Sequence, residues 1–105
     1  MPSQALKGIR VLDLSRILAA PFCAQLLGDL GAEVIKVERP GAGDDSRSYG
    51  PPFLKDEEGH PTRDAGFYLS CNRNKRGITV DHSKPEGATL LREIAARSDV
   101  FIENF

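Results

Sequence analysis

The chain has 105 residues, of which 40% are hydrophobic and 28% charged, and its 14 basic and 15 acidic side chains leave a formal net charge of -1. This length allows one domain or a part of one. A disordered chain would carry more net charge, general nucleic-acid binding would need a basic excess, and no segment approaches the roughly 20 apolar residues of a membrane helix. Two cysteines cannot build a disulfide framework and the first residues carry no targeting pattern, so we expect a cytoplasmic protein.

The first forty residues predict a strand, a helix and a second strand. Residues 8–14 (GIRVLDL) form a short apolar, β-branched run that is typical of a strand, and residues 32–38 (AEVIKVE) form another. Between them, Pro21 suits the first turn of a helix, the apolar residues of segment 22–30 recur at helical spacing, and Gly31 is a stop signal. The right-handed crossover rule then makes the two strands parallel neighbours.

The second half predicts a long irregular segment followed by another strand, helix and strand. Residues 39–64 are rich in glycine and proline and are expected to be irregular. Residues 78–81 (ITVD) predict a third strand and residues 100–102 (VFI) a fourth. Ser83 and Glu86 fit a capping box at the start of the helix between them. Two such units predict an α/β fold with a parallel sheet and flanking helices.

The chain stops on an apolar segment, residues 100–105 (VFIENF), with nothing after it to cover a strand. Finished domains usually end at the surface, often on a polar tail. We therefore expect this chain to be a fragment of a longer protein.

Ligands of parallel α/β sheets bind beyond the carboxyl ends of the strands. The first strand is followed by a turn without glycine, so the G-x-G-x-x-G pattern of dinucleotide-binding proteins is missing, and the G-K-[ST] of a P-loop is missing after the second. His60 and His82 are isolated, and we predict no metal site. The rule nominates four segments of the chain: residues 15–20, 38–45, 81–84 and 104–105.

Basic side chains follow two of the predicted strands. Arg16 follows the first strand and Arg39 the second, where a planar guanidinium suits phosphate. A compact basic patch formed by Arg73, Lys75 and Arg76 is a further candidate for anion binding.

Six stretches of the chain carry a resemblance to a known family. The chain resembles the N-terminal segment of the class III coenzyme A transferases, which include formyl-CoA transferase and succinyl-CoA-dependent dicarboxylate transferases. The stretches follow one another in the family's order and span nearly the whole chain. They are residues 6–16 (LKGIRVLDLSR), 28–40 (GDLGAEVIKVERP), 43–47 (GDDSR), 72–78 (NRNKRGI), 85–87 (PEG) and 98–105 (SDVFIENF).

The resemblance implies a fold and a chemistry. Residues 1–105 would form the N-terminal segment of a large Rossmann-like domain in an interlocked homodimer. The enzyme would move coenzyme A (CoA) from an acyl-CoA donor to a carboxylic acid acceptor: an aspartate attacks the thioester, and the CoA thiolate then attacks the resulting mixed anhydride. In the family that aspartate lies beyond Phe105, and none of the aspartates at positions 13, 29, 44, 45 and 81 matches it.

The resemblance also implies the residues that bind CoA. They fall in the turn after the first strand, after the second strand, at the end of the third strand with its following turn, and at the end of the fourth. The implied residues are Arg16, Ile17, Leu18, Ala19, Arg39, Val80, Ser83, Lys84, Asn104 and Phe105.

Two alternatives remain open. An acyl-CoA racemase of the same superfamily would use a downstream histidine and aspartate as proton carriers, and only sequence beyond Phe105 separates it from a transferase. A non-catalytic module that binds CoA or a nucleotide would instead be a stable monomer of 105 residues.

Overall fold

The computed structural model describes residues 4–105. The chain alternates strands and helices, with a short 3₁₀ helix at Asp45–Ser48 in the middle. The strands are β1 (Arg10–Asp13), β2 (Glu33–Glu38), β3 (Phe53–Lys55), β4 (Pro61–Ala65), β5 (Lys75–Thr79) and β6 (Val100–Ile102), and the helices are α1 (Ala19–Asp29), α2 (Gly66–Ser70) and α3 (Pro85–Ala96).

Four of the strands form a parallel sheet in the order β5-β2-β1-β6. The predicted α/β fold is therefore confirmed, and so is the parallel pairing of the first two strands. Chain order runs outward from β1 through β2 to β5 on one side, while β6 lies on the other side of β1. This reversal opens a crevice beyond the carboxyl ends of β1 and β6, which is where such sheets bind ligands.

Each face of the sheet is covered by one long helix. Leu91 of α3 packs over Leu12, Val37 and Val80 on one face. Ala24 of α1 packs over the other face in a second apolar cluster. Because side chains alternate along a strand, the central strands β1 and β2 contribute to both clusters, and the two layers of helix enclose the sheet.

Helix α1 buries a different side from the one its sequence pattern indicates. Phe22, Leu26 and Leu30 recur at helical spacing but are 46%, 45% and 42% exposed in this chain. The buried residues include Ala24, which brings the helix close to the sheet, and Gln25. The Gln25 amide donates to the Ser70 carbonyl and accepts from the Arg73 backbone N–H, so a polar residue takes a buried position that periodicity alone would assign to a leucine.

The segment expected to be irregular, residues 39–64, contains regular structure. Strands β3 and β4 pair as an antiparallel hairpin, and the 3₁₀ helix precedes them. That part of the prediction was wrong. These strands are short and mostly exposed, so their sequences lack the apolar alternation by which a strand is predicted. Strand β5 also begins at Lys75, three residues before the predicted start, within the basic segment.

The predicted capping box at α3 was wrong. The N-cap residue is Lys84, Pro85 occupies the first helical turn, and no side chain caps the helix. The Ser83 hydroxyl donates instead to the carboxylate of Asp81. Proline has no N–H and has a fixed φ, so it begins the helix one residue later than the Ser83 pattern indicates.

Within residues 4–105, no helix is long and apolar enough to cross a membrane.

Leu91→Ala should destabilise the chain by about 2–5 kcal/mol, since truncating a buried leucine removes apolar contacts and leaves a cavity. Its neighbour Leu90 lies on the same helix but is 44% exposed. Leu90→Ala is therefore the matched control, with an expected loss below about 1 kcal/mol. Urea unfolding of the two variants would measure both losses, and equal values would contradict the packing of α3 described here.

Candidate functional site

A cleft of about 260 Å³ lies beyond the carboxyl ends of β1 and β2. The turn after β1 contributes Ser15 and Arg16, and the segment after β2 contributes Arg39. Phe105, from the end of the chain after β6, closes one side. Residues that are far apart in the sequence therefore meet at the strand ends, as the parallel sheet predicts.

The turn after β1 is held in an unusual backbone conformation. Ile17 has φ +76°, in the left-handed region, which for a β-branched residue costs on the order of 1–3 kcal/mol. Its backbone N–H donates to the carboxylate of Asp44, 3.1 Å from Oδ1 and 3.3 Å from Oδ2. Beside it, the backbone N–H of Arg16 donates to Asn104 Oδ1 over 3.0 Å, and the backbone carbonyl of Arg16 accepts from Asn104 Nδ2 over 2.9 Å.

An aromatic ring and a cation lie together at the mouth of the cleft. The Arg16 guanidinium carbon is 5.6 Å from the centre of the Phe105 ring, within the range of a cation–π contact. The ring of His82 lies 5.8 Å from that of Phe105 and is tilted by 30°. The edge of the cleft therefore carries a guanidinium and two aromatic rings.

Arg39 lies between this cleft and a neighbouring one of about 410 Å³. Its side chain is 48% exposed and forms an ion pair with Asp45. The second cleft also holds Arg47 and Arg63, and its floor includes the glycine-rich segment 41–43. The side chain of Arg63 donates to the carbonyl of Gly41 over 3.3 Å.

The other predicted site residues have different surroundings. Val80 is buried in the apolar cluster under α3, and its N–H donates to the Glu38 carbonyl. Ser83 and Lys84 are exposed and line neither of these two clefts. Leu18 is the N-cap residue of α1 and Ala19 its first residue. The structure thus gathers Arg16, Arg39 and Phe105 and leaves Ser83 and Lys84 outside the clefts.

A buried ion pair lies along the inner side of the cleft, and Asp44 is among the residues that line it. Lys36 Nζ donates to Asp44 Oδ2 over 2.7 Å, and each side chain is only 1% exposed. The same ammonium donates to the Ser15 carbonyl over 3.3 Å. Asp44 Oδ1 also accepts from the N–H of Ser46 at 2.9 Å and from its hydroxyl at 2.8 Å. Burial raises the pKa of Asp44, but hydrogen bonds from Lys36 and Ser46 outweigh burial and leave the pKa below its ordinary value.

A second carboxylate that lines the cleft is that of Glu38. It accepts from Arg47 through both of its oxygens, from the Tyr68 hydroxyl, and from the backbone N–H of Asp44, each over 2.8 Å. Burial raises the pKa of Glu38, yet the bonds from Arg47, Asp44 and Tyr68 hold the pKa below its usual range. Burial together with the Glu38 carboxylate raises the pKa of Tyr68.

The basic patch predicted near residue 75 consists of ion-pair partners. Lys75 is buried, and its Nζ lies 2.9 Å from Asp13 Oδ2 and 2.9 Å from the Pro21 carbonyl. Arg73 pairs with Asp29, and Arg76 with Glu33. Each of these cations therefore pairs with a carboxylate of this chain, and anion binding at this patch stays a prediction.

The five aspartates compared with the family's nucleophile also have hydrogen-bond or ion-pair partners in this chain. Asp13 and Asp44 lie in the buried ion pairs, and Asp45 pairs with Arg39. Asp29 accepts from Arg73 and Asn74, and the hydrogen bond from Arg73 does most to lower its pKa. Asp81 accepts a hydrogen bond from the Ser83 hydroxyl, and this bond does most to lower the pKa of Asp81. Among residues 4–105, no cluster of three or more histidine, cysteine or acidic side chains is arranged to hold a metal ion.

The sequence contained a signal for the buried pair that periodicity did not use. Lys36 stands in the middle of the apolar strand AEVIKVE. Lysine is almost never fully buried unless it is paired, so a lysine at this position indicates an acidic partner. Which acid it pairs with depends on the loop after β2, which the sequence pattern did not predict.

The sheet order and the cleft at its carboxyl edge define a Rossmann-like α/β protein. The chain belongs to CoA-transferase family III, whose family model matches residues 6–105. The resemblance found in the six sequence stretches is thereby confirmed.

Relatives and solved structures agree with this assignment. The chain is 55% identical over 100 residues to the succinyl-CoA:glutarate CoA-transferase of Mus musculus, covering 95% of this chain and 21% of that protein. It is 43% identical over 103 residues to the formyl-CoA:oxalate CoA-transferase of Bradyrhizobium sp. (strain ORS 278), covering 98% and 23%. The crystal structure of a CAIB/BAIF family protein from Brucella suis superposes with a TM-score of 0.88 at 50% identity, covering 98% of this chain and 26% of that one. The chain thus spans about a quarter or less of the length of these relatives.

Lys36→Met should destabilise the chain by about 3–5 kcal/mol, because it leaves the Asp44 carboxylate buried without its counter-ion. The double variant Lys36→Met/Asp44→Asn removes both charges and keeps an oxygen acceptor, so it should recover most of that loss. Urea unfolding at neutral pH would compare the three proteins. A double variant no more stable than the single one would contradict the uncompensated charge as the cause.

The pH dependence of the same pair has a definite sign. The pKa of Asp44 in the folded chain lies below the ordinary 3.8, so the pair contributes its full stability above that value and loses it as the pH falls through the folded pKa. In Lys36→Met the buried carboxyl has a higher pKa, and its stability deficit should shrink on acidification. A deficit that stays constant down to the acid limit of folding would contradict this assignment.

Proposed function

We propose that the full-length protein transfers CoA from an acyl-CoA donor to a carboxylic acid acceptor and that the segment described here binds the CoA. The observation that carries this proposal is the meeting of Arg16, Arg39 and Phe105 in one cleft at the carboxyl edge of the sheet, in a chain that belongs to a CoA-transferase family. Membership of the family supports the reaction, and the cleft supports the place of binding.

The chemistry of the cleft suits the nucleotide end of CoA. The Phe105 ring, which is 68% exposed, and the guanidinium of Arg16 can each stack on a purine base. Arg39 is half exposed and can exchange its contact with Asp45 for a phosphate, which a guanidinium binds with two parallel hydrogen bonds. Helix α1 begins at this turn with no side-chain cap and no acid in its first turn, so its N-terminus favours a diphosphate.

The remaining proposed CoA residues act in two ways. Leu18 and Ala19 would offer backbone N–H groups at the start of α1. The Ile17 N–H is already bound by Asp44, so we propose that Ile17 shapes the turn. The side chains of Val80 and Asn104 are already used, in the apolar core and on the backbone of Arg16, so we propose that they shape the cleft. Ser83 and Lys84 would reach CoA only through parts of it that extend past the two clefts.

We propose that the nucleophilic aspartate lies beyond Phe105. The five aspartates considered above each have a protein partner in this segment, and two of them are buried in ion pairs. Such contacts stabilise the carboxylate and make it a weaker nucleophile toward a thioester. The segment therefore supplies binding, and the covalent step belongs to the downstream part of the protein.

The names of the relatives support a dicarboxylate acceptor. One is named for glutarate and another for oxalate, with succinyl-CoA and formyl-CoA as donors. We propose that this protein uses an acceptor of the same class. We further propose that residues 1–105 belong to the large domain of an interlocked homodimer in the cytoplasm.

Arg39→Ala in the full-length protein should raise the dissociation constant of CoA about tenfold or more, since a charge-assisted contact to phosphate contributes roughly 1.5–3 kcal/mol. Arg76→Ala is the matched control: it removes the same charge from a side chain that is 78% exposed and pairs with Glu33 at the amino end of β2. Calorimetry at one fixed salt concentration would measure both. Equal effects of the two changes would indicate a general charge effect and remove Arg39 from the site.

The full-length protein should exchange CoA between succinyl-CoA and a dicarboxylic acid, whereas residues 1–105 alone should show no activity. Loss of the nucleophile removes nearly all of an enzyme's rate enhancement. The assay would mix each protein with succinyl-CoA and a panel of dicarboxylates and follow new acyl-CoA species by mass. Turnover by the isolated segment would contradict the downstream position of the nucleophile, and inactivity of the full-length protein toward every acceptor would contradict the proposed reaction.

A further inference from the structure

The turn between β1 and α1 adopts a conformation that its own sequence disfavours. Ile17 is a β-branched residue with φ +76°, and such residues avoid this region because the side chain meets the backbone. A backbone of this kind persists only where surrounding contacts determine it. The contacts that hold Ile17 in place are therefore the ones that shape the cleft at this turn.

One side chain supplies the contact to the Ile17 backbone. The Asp44 carboxylate accepts the Ile17 N–H with both oxygens at 3.1 and 3.3 Å. Asp44 is itself fixed from three sides: by Lys36 at 2.7 Å, by Ser46, and through its own N–H by Glu38 at 2.8 Å. An acceptor held this firmly sets the direction of the N–H that it binds.

The charge of Asp44 acts inside the protein rather than on a ligand. Its side chain is 1% exposed and is neutralised by a lysine that is equally buried. Both residues belong to the segment that starts at β2, whereas the turn they hold follows β1. The pair therefore fastens the loops of two neighbouring strands to each other along the inner side of the cleft.

We propose that Asp44 is a positioning residue for CoA: by binding the Ile17 N–H it holds the turn of Arg16 and Ile17 in the geometry that receives the ligand, and Lys36 fixes the carboxylate for that task. This inference rests on the CoA site proposed above. Asp44 contributes no contact to CoA and no proton to the reaction. Its removal weakens binding through the backbone of the turn.

Two double variants of the full-length protein separate this role from the stability of the ion pair. Lys36→Met/Asp44→Asn and Lys36→Met/Asp44→Leu both remove the two charges and keep side chains of similar size. Only the asparagine retains an oxygen that can accept the Ile17 N–H. The pair of variants therefore differs in the acceptor and not in buried charge.

The leucine variant should bind CoA about tenfold or more weakly than the asparagine variant, as expected for a lost buried acceptor. Calorimetry with CoA would measure both constants. Amide hydrogen exchange in the absence of CoA adds a second readout: the Ile17 N–H should exchange faster in the leucine variant than in the asparagine variant. A purely structural role would shift melting temperatures and the exchange of the Ile17 N–H without separating the two dissociation constants.

Equal dissociation constants for the two variants, in a parent protein that binds CoA, would overturn the inference and leave the proposed function standing. A parent protein that does not bind CoA would overturn the proposed function, and the inference with it. Should the leucine variant fail to fold, Asp44→Glu keeps the charge for Lys36 while moving the oxygens by one methylene. It should weaken CoA binding by a similar factor, and an unchanged constant there would also overturn the inference.

Discussion

The geometry of the strand ends depends on one buried ion pair, between Lys36 and Asp44. Removing two charges from water is costly, and attraction between them offsets that cost only where every remaining hydrogen-bonding position is filled. Here the carboxylate accepts from Lys36, Ile17 and Ser46, and the ammonium also reaches the Ser15 carbonyl. The pair therefore ties β2 to the turn after β1 and to the 3₁₀ helix at once, and losing either member releases all of these contacts.

The pair belongs to a polar layer on the α1 face of the sheet. Asp13 on β1 and Lys75 on β5 form a second buried pair, and Glu38 binds Arg47 with Tyr68 beside it. Among the described residues, every buried side-chain nitrogen and oxygen has a hydrogen-bond partner. Satisfied networks of this kind add little net stability over a well-packed apolar core, but they fix the relative positions of their members. At the carboxyl edge of this sheet, that fixed geometry is what a ligand cleft requires.

Local sequence patterns predicted most of the strands and helices. They missed the contacts between residues that are distant in the sequence. The four parallel strands follow from short runs such as residues 32–38, and the crossover rule predicts that the first two are parallel neighbours. The positions of β5 and β6 in the sheet were not predicted. Ser83 fits a cap because of its spacing to Glu86, whereas Pro85 at the start of the helix moves the N-cap to Lys84. The roles of Lys36, Asp44 and Gln25 could not be predicted, since each depends on a partner that only the folded loops bring near. The strand-end rule did place Arg16, Arg39 and Phe105 correctly at one edge of the sheet.

The turn after β1 is held by contacts from the segments that follow the strands on both sides of β1. Asp44 binds the Ile17 N–H from the β2 side, while Asn104, after β6, binds both backbone groups of Arg16. A glycine-rich turn lets a phosphate approach by leaving the backbone bare; this turn has no glycine and instead has its backbone direction set by two neighbouring loops. The polar side chains next to the cleft therefore divide into two groups. Arg16 and Arg39 line the cleft with side chains that only exposed neighbours contact, whereas the side chains of Asp44 and Asn104 bind the backbone of the turn.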